Sequence, residues 1–299
     1  MAASTTSVME KGSDQRPTGV GSQEEEEEIP EFKEVAVTLA TGERVAVLRR
    51  NIEEDLQVDA SFFDEDYTVA AATGCSVWEG SYYMLAWWQE EAQAALRSCK
   101  VLELGSGTGL LGLAIATLGA RTLLTDVKSV VREMLDMNIA RNSAYGTDAP
   151  ESKAPDGSAQ CSWPGPATCA VGHGWAAARP LDWTVSLEKQ FPLQEGHPAD
   201  ADVLIGAETV WLKELIEPYV VTVVALLEAH RQRHGTEMAC YMCYRNRGTQ
   251  TSTTFATTEE LMAALRERGC VVTTVAEGVT EYAPDSLCTI YQIALGPVK

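Results

Sequence analysis

The string Glu103-Leu-Gly105-Ser106-Gly107-Thr108-Gly109 sets a carboxylate directly ahead of a glycine-rich turn. Glycines let a backbone turn sharply and approach a ligand with no Cβ in the way. A helix following such a turn offers unpaired N–H groups. Alone, the string is a weak pointer to a nucleotide site. No Lys-Ser/Thr pair follows the glycines, which disfavours a phosphate-gripping loop. Asp126 closes the next apolar stretch roughly 20 residues on, where a carboxylate accepts both ribose hydroxyls of an adenosine ligand. These residues also fit a nicotinamide enzyme, and a glycine turn that serves packing alone stays open. Glu103 favours a third reading. Its charge would repel a pyrophosphate but suits the ammonium end of a methionine moiety, directly or through water, as in S-adenosylmethionine.

A second acidic segment is Gly206-Ala207-Glu208-Thr-Val-Trp211. It follows a short apolar strand, at the end of a parallel sheet where functional loops gather. Glu208 would position an incoming amine or orient the methionine end of the cofactor; the alternative is an acid serving the first turn of a helix. Trp211 would wall a substrate channel or pack on the sheet. Methyl transfer from a sulfonium needs a neutral nucleophile held in line with the methyl group and leaving sulfur. A carboxylate and an aromatic wall shape such a site for a lysine amine, and aromatic faces attract methylated cations.

The elements that must hold these residues alternate as strand and helix. Val101–Leu104 reads as a buried strand, 110–118 as a helix, Arg121–Asp126 as a second strand and 129–141 as a second helix. Short apolar strands of this kind belong to a parallel sheet covered on both faces. A third strand is expected over 175–182, a fourth over 202–206, a helix over 212–231 with Pro218 kinking or starting it, a strand over 237–244, a helix over 257–268, and strands over 270–275 and 287–295. Ahead of this core, 32–39 and 44–48 alternate as a hairpin around Thr41-Gly42, and Trp78–Leu96 reads as a helix. Residues 51–73 are mixed and acidic. Residues 1–30, with the run Glu24–Glu28, are expected as a disordered acidic tail. The stretch 143–168, rich in Gly, Pro, Ser and Ala, is expected as a mobile inserted loop. The expected organisation is the tail, a hairpin-and-helix extension over 31–97, and a core over 98–299.

With 299 residues and a formal net charge of −20, the chain has length for a large core and is a poor partner for nucleic acid. Its 8 cysteines show no small-domain disulfide spacing. No apolar run reaches the roughly 18 residues of a membrane span, and no signal segment is visible. A cytoplasmic protein is expected, with the nucleus left open, and the absence of heptads makes a monomer the default. Cys240 and Cys243 share Cys-x-x-Cys spacing but would face opposite sides of a strand. His230 and His234 share a helix face without a metalloprotease glutamate between them, so no metal site is expected. Ser106 lacks the setting of a nucleophile elbow. Adjacent Trp87 and Trp88 cannot both face the core alike; one marks a partner surface or packs against the N-terminal segment. Arg245 and Arg247 would salt-bridge near an active-site rim or simply pair with the acidic surface.

From these residues the sequence resembles the seven-β-strand protein-lysine methyltransferases called methyltransferase family 16, over about residues 68 to 295. Thr73-Gly-Cys-Ser-Val-Trp78-Glu-Gly, Val101 to Leu110, Thr125-Asp126, Asn138 to Asn142 and Leu181-Asp182-Trp183 carry the resemblance. It implies a Rossmann-like α/β fold with helices on both faces, sheet order 3-2-1-4-5-7-6 and the seventh strand antiparallel. It implies S-adenosylmethionine as methyl donor, held by Trp78, Glu103, Gly105, Ser106, Gly107, Thr108, Gly109, Asp126, Trp183 and Ala207, with Trp183 lining the adenine pocket. Glu208 and Trp211 would serve catalysis. A folded protein is the implied substrate, recognised with help from the N-terminal hairpin and helix. The stretch Trp78 to Trp88, Tyr241 to Asn246 and Thr254-Phe255 resemble the branch that methylates a lysine of elongation factor 2. The family places tyrosine three residues after the acid that follows the fourth strand; here Trp211 stands there, without the hydroxyl. A histidine or small-amine methyltransferase and a non-catalytic cofactor-binding scaffold are the competing functions.

Overall fold

The computed structural model describes residues 32–50, 74–91, 97–145, 163, 168–192, 196–245, 252–281 and 283–297. The expected tail 1–30, the acidic stretch 51–73, most of the insertion and Arg247 lie outside the described residues. Residues Glu31–Lys299 form one compact unit.

The chain opens with a two-stranded hairpin, β1 (Phe32–Thr38) and β2 (Arg44–Arg50), followed by helix α1 (Glu79–Glu91). The core runs β3 (Lys100–Leu104), α2 (Leu110–Thr117), β4 (Arg121–Asp126) and α3 (Lys128–Val130). A π-helical turn, Val131–Leu135, leads from α3 into α4 (Asp136–Tyr145). It continues with β5 (Cys169–Val171), β6 (Gly174–Pro180), α5 (Leu187–Gln190), β7 (Val203–Ala207), α6 (Lys213–His234), β8 (Ala239–Arg245), α7 (Thr258–Glu267), β9 (Cys270–Thr280) and β10 (Ala283–Leu295).

The central sheet has eight strands in the order β5-β6-β4-β3-β7-β8-β10-β9. The strands β6, β4, β3, β7 and β8 are parallel neighbours; β10 runs antiparallel to both β8 and β9. The expected seven-stranded sheet is therefore corrected to eight. The extra edge strand, β5, folds back on β6 through Gly172-His173, with Gly172 in the left-handed region that short hairpins favour. Three residues are too few to show a strand periodicity, so sequence alone had little to find.

Alternation along the strands splits the core into two layers. Val101 and Cys243 face the hairpin, α1, α2 and α4, whereas Leu102, Leu104, Cys240 and Met242 face α6 and α7. The expected opposite facing of Cys240 and Cys243 holds. All eight residues of α2 are buried, which is why its sequence is apolar all round rather than striped. α6 starts at Lys213 with Pro218 inside it and ends on Gly235 in a left-handed cap. α7 opens with a capping box between Thr257 and Glu260.

Two buried asparagines fasten the hairpin to the core. Asn138 Oδ1 accepts the Leu48 N–H at 2.8 Å while its Nδ2 donates to the carbonyls of Leu48 and Thr108. One helical turn later, Asn142 accepts the Ala46 N–H at 3.1 Å and donates to the Ala46 and Asn138 carbonyls. The four-residue spacing on α4 matches the two-residue spacing on β2, so the side-chain amides act as a missing strand along that edge. Through Thr108 the same network reaches the glycine turn.

The expected insertion is trimmed at its start, because α4 runs to Tyr145. Within it, Trp163 is a core residue the sequence reading missed: it is buried and donates Nε1–H to the His197 carbonyl at 3.0 Å. Trp87 and Trp88 both pack on Tyr241 of β8, with ring centroids 5.2 and 5.3 Å away, a partner in the central sheet that neither expectation for this pair named.

Candidate active site

The glycine turn sits between β3 and α2 with Gly105, Gly107 and Gly109 all at positive φ. A Cβ at Gly105 would lie 2.8 Å from Thr209 Cγ2 and 3.3 Å from the Trp183 ring, and one at Gly107 would lie 2.9 Å from the Gly74 carbonyl oxygen. Both conformation and space therefore demand glycine there. Ser106 closes the turn: its N–H donates to the Thr125 carbonyl at 2.9 Å, and its Oγ accepts the Thr125 N–H at 3.1 Å.

Asp126, at the end of β4, accepts the Gly107 N–H at 2.9 Å on Oδ2 and the Val127 N–H at 2.8 Å on Oδ1. Burial pushes its carboxyl up to about 6, against the pull of those two N–H groups. Each oxygen keeps acceptor capacity for a ligand hydroxyl. Glu103 is buried on β3, and its Oε2 has no hydrogen-bond partner. Burial pushes this carboxyl up to about 8; the Ser106 hydroxyl and the Gly112 N–H oppose that rise, and Asp126 adds to it. A buried acid with an unpaired oxygen in the lining of a cavity is a candidate for a ligand contact.

Trp183 follows β6 in a turn that Asp182 organises, its Oδ1 accepting both the N–H and the hydroxyl of Thr184. The Trp183 ring meets Tyr219 edge-on at 4.8 Å, and its Nε1 is buried without a partner. Beneath the turn lie hydroxyls that the sequence reading missed. Thr209 Oγ1 and Tyr244 OH are 2.7 Å apart, and burial raises the Tyr244 and Tyr219 phenols. No local pattern marks them, because they come from three separate elements.

Glu208 lies just beyond β7 with φ of 52°, in the left-handed region rare for a residue with a Cβ. Its Oε1 accepts the Gly80 N–H at 2.7 Å, at the first turn of α1. The alternative weighed for it, service to the helix after β7, is thus met by a different helix 128 residues away. Trp211 packs against Phe255, centroids 6.2 Å apart, in a segment joined to it by the bond from the Ala256 N–H to the Trp211 carbonyl. Phe255 is 55% exposed.

One cavity of about 400 Å³ joins these groups. It extends from Gly105–Thr108 and Asp126 past Trp183 and Ala207–Thr209 to Trp211, Leu212, Glu214 and Leu215, with Gly74, Ser76, Val77, Trp78 and Ser81 on the N-terminal side. Of the expected site residues, all line it except Gly109, which turns the chain into α2 against Leu124 and Leu135. The charged residues lining it, among the described residues, are Glu103, Asp126, Asp182, Glu208 and Glu214; no Lys, Arg or His is among them.

Residues 59–154 match the model of a lysine methyltransferase family. The EEF1A lysine methyltransferase 3 of Xenopus tropicalis is 24% identical over 58% of this chain and 65% of its own length. The protein-lysine N-methyltransferase EEF2KMT of Bos taurus is 36% identical over 46% of this chain and 39% of its own. The chain thus spans less than two thirds of these relatives. Among solved structures, the magnesium protoporphyrin IX methyltransferase of Synechocystis PCC 6803 superposes with a TM-score of 0.41 at 11% identity, over 72% of this chain and 82% of that one.

Proposed function

We propose that this chain, a relative of the family-16 lysine methyltransferases, transfers a methyl group from S-adenosylmethionine to a lysine amine of a protein. The observation that carries the proposal is the cavity: five carboxylates, tryptophans at 78, 183 and 211 and, among the described residues, no cationic side chain.

The residues present fit that cofactor. The buried, unpartnered Glu103 Oε2 would take the ammonium end, and the free acceptor capacity of Asp126 would take the ribose hydroxyls. The Trp183 ring, facing the turn across Gly105, would wall the adenine. Trp78 and Ala207 line the same space, and Ser106 and Thr108 with the three glycines form its floor. When bound, the cofactor supplies an activated methyl on a sulfonium. The chain's own residues bring the acceptor to it. The acidic lining draws a lysine ammonium in, and the walls at Trp211 and Leu215 strip its water. Desolvation lowers the pKa of an amine, so the proton leaves, with the carboxylates as the near acceptors. Glutamate and tryptophan faces also suit the methylated cation that results.

Within this class, we propose elongation factor 2 as the acceptor. The 36% identity to the Bos taurus enzyme and the Trp78 to Trp88 stretch support it. A cytoplasmic monomer goes with that acceptor and is part of the same proposal. The exposed Phe255 beside Trp211 supplies an apolar footing for the acceptor protein at the cavity mouth. Purified elongation factors 2 and 1A, incubated with methyl-labelled cofactor and this protein, test the choice. Label on a lysine of factor 2, absent with the Asp126→Ala variant, supports it. Label on factor 1A alone, or on neither, refutes it.

A further inference from the structure

We infer that Glu208 is a positioning residue: it latches the segment Gly74–Ser81 over the cofactor cavity by holding the Gly80 N–H at the head of α1. The inference rests on the reading of that cavity as a cofactor site.

The first turn of a helix leaves its N–H groups unpaired and carries partial positive charge. Gly80 lies there, and its N–H meets Glu208 Oε1 at 2.7 Å. The approach is so close that a Cβ on Gly80 would stand 2.8 Å from Glu208 Cγ. Glu208 reaches this position by adopting φ of 52°, with its own N–H bound to the Cys243 carbonyl at 2.8 Å. A strained conformation at a non-glycine residue persists where its surroundings hold it, and such residues gather at sites that need a fixed geometry. The neighbouring strand end adds a second strut: Arg245 Nη1 lies 3.2 Å from Glu79 Oε1. The ends of β7 and β8 therefore grip the first two residues of α1.

What they grip is the roof of the site. Gly74, Ser76, Val77, Trp78 and Ser81 all line the cavity, and the Gly74 carbonyl lies against Gly107 of the glycine turn. The path from Glu208 to the cofactor loop thus runs through the backbone of Gly80 to Gly74. A carboxylate whose oxygen is engaged by a backbone N–H orders the roof. Gln keeps an acceptor oxygen for that N–H and loses only the charge, whereas Ala loses the acceptor.

Hydrogen exchange of the full chain without cofactor tests the latch, with calorimetric cofactor binding and steady-state kinetics beside it. In Glu208→Ala, amides 74–81 are expected to exchange about tenfold faster, while those of β3 and α2 keep their protection. Cofactor Kd and KM rise about tenfold, kcat falls less, and Glu208→Gln recovers most of the loss. Gly80→Ala, which drives a methyl into the latch and leaves the carboxylate in place, gives the same faster exchange. Unchanged exchange over 74–81 in Glu208→Ala and Gly80→Ala overturns the inference. So does a Glu208→Gln variant as impaired as Glu208→Ala with its loss confined to kcat and a pH limb removed, which marks a proton-transfer role. Should the wild-type chain bind no S-adenosylmethionine, the cofactor reading fails on its own, and the exchange of the empty protein still reports on the latch.

Discussion

Glu103→Gln separates what the carboxylate costs the empty protein from what it gives when cofactor binds. Burial holds the Glu103 carboxyl at about 8 in the folded chain, against 4.5 for the free side chain. A folded pKa raised above the unfolded one means that the folded state keeps the proton longer. Stability from the neutral acid is therefore full below pH 4.5 and is lost as pH rises toward 8. At 1.36 kcal/mol per unit, about 3 kcal/mol has gone by pH 7. Asp126 adds a loss of the same sign over the lower window, from 3.8 to about 6. Gln does not titrate, so urea unfolding of the empty variant should lack the Glu103 slope, and the gap to wild type should widen by about 3 kcal/mol between pH 4.5 and 7. Under the proposed function the same group sets cofactor affinity, because the ammonium of the ligand needs the carboxylate. At pH 6 only about 1% of Glu103 is charged and at pH 8 about half, so affinity should be about fiftyfold weaker at pH 6 than at pH 8, or about 2.3 kcal/mol. Methylthioadenosine, which lacks the amino-acid end but keeps the ribose, should show none of that difference, since any share from Asp126 is common to both ligands. Calorimetry with the two ligands from pH 6 to 8 reads it. Parallel pH dependence for both ligands, or equal unfolding slopes for wild type and Glu103→Gln, would refute the reasoning.

Other perturbations follow from the same geometry. Gly105→Ala combines a left-handed backbone with a Cβ 2.8 Å from Thr209 Cγ2 and should abolish cofactor binding in calorimetry while circular dichroism stays native. Asn138→Ala strands the N–H and carbonyl of Leu48 and the Thr108 carbonyl, and should cost about 2–4 kcal/mol in urea unfolding. Asn138→Asp should recover part of that by keeping the acceptor for Leu48. Phe255→Ala should raise KM for the acceptor protein several-fold and leave cofactor Kd unchanged, since Phe255 lies outside the cavity lining. Equal loss in both constants would remove Phe255 from the docking surface.

The proposed cofactor end of the site was legible because its signals are local. A carboxylate, three glycines and Asp126 carry their meaning in spacing and in the apolar strands around them. The acceptor end was less legible. Glu208 and Trp211 stood out by their place after β7, but the partner of Glu208, the Gly80 N–H, is far away in sequence and belongs to a residue with no side chain. The asparagine ladder shows the same limit: Asn138 and Asn142 are visible as a pair on one helix face, yet their partners are backbone groups of β2. Trp163 hid in a stretch whose composition is that of a loop. The buried hydroxyls of Thr209, Tyr219 and Tyr244 gather only when three elements pack.

The central claim is that the acidic, tryptophan-walled cavity delivers a methyl group to lysine. It is tested most directly by complete hydrolysis of proteins labelled from methyl-tritiated S-adenosylmethionine in a cell lysate, followed by separation of the amino acids. The account predicts label in methylated lysine, lost with Asp126→Ala. Label in methylhistidine or methylarginine, or in a small molecule with none in protein, would contradict it.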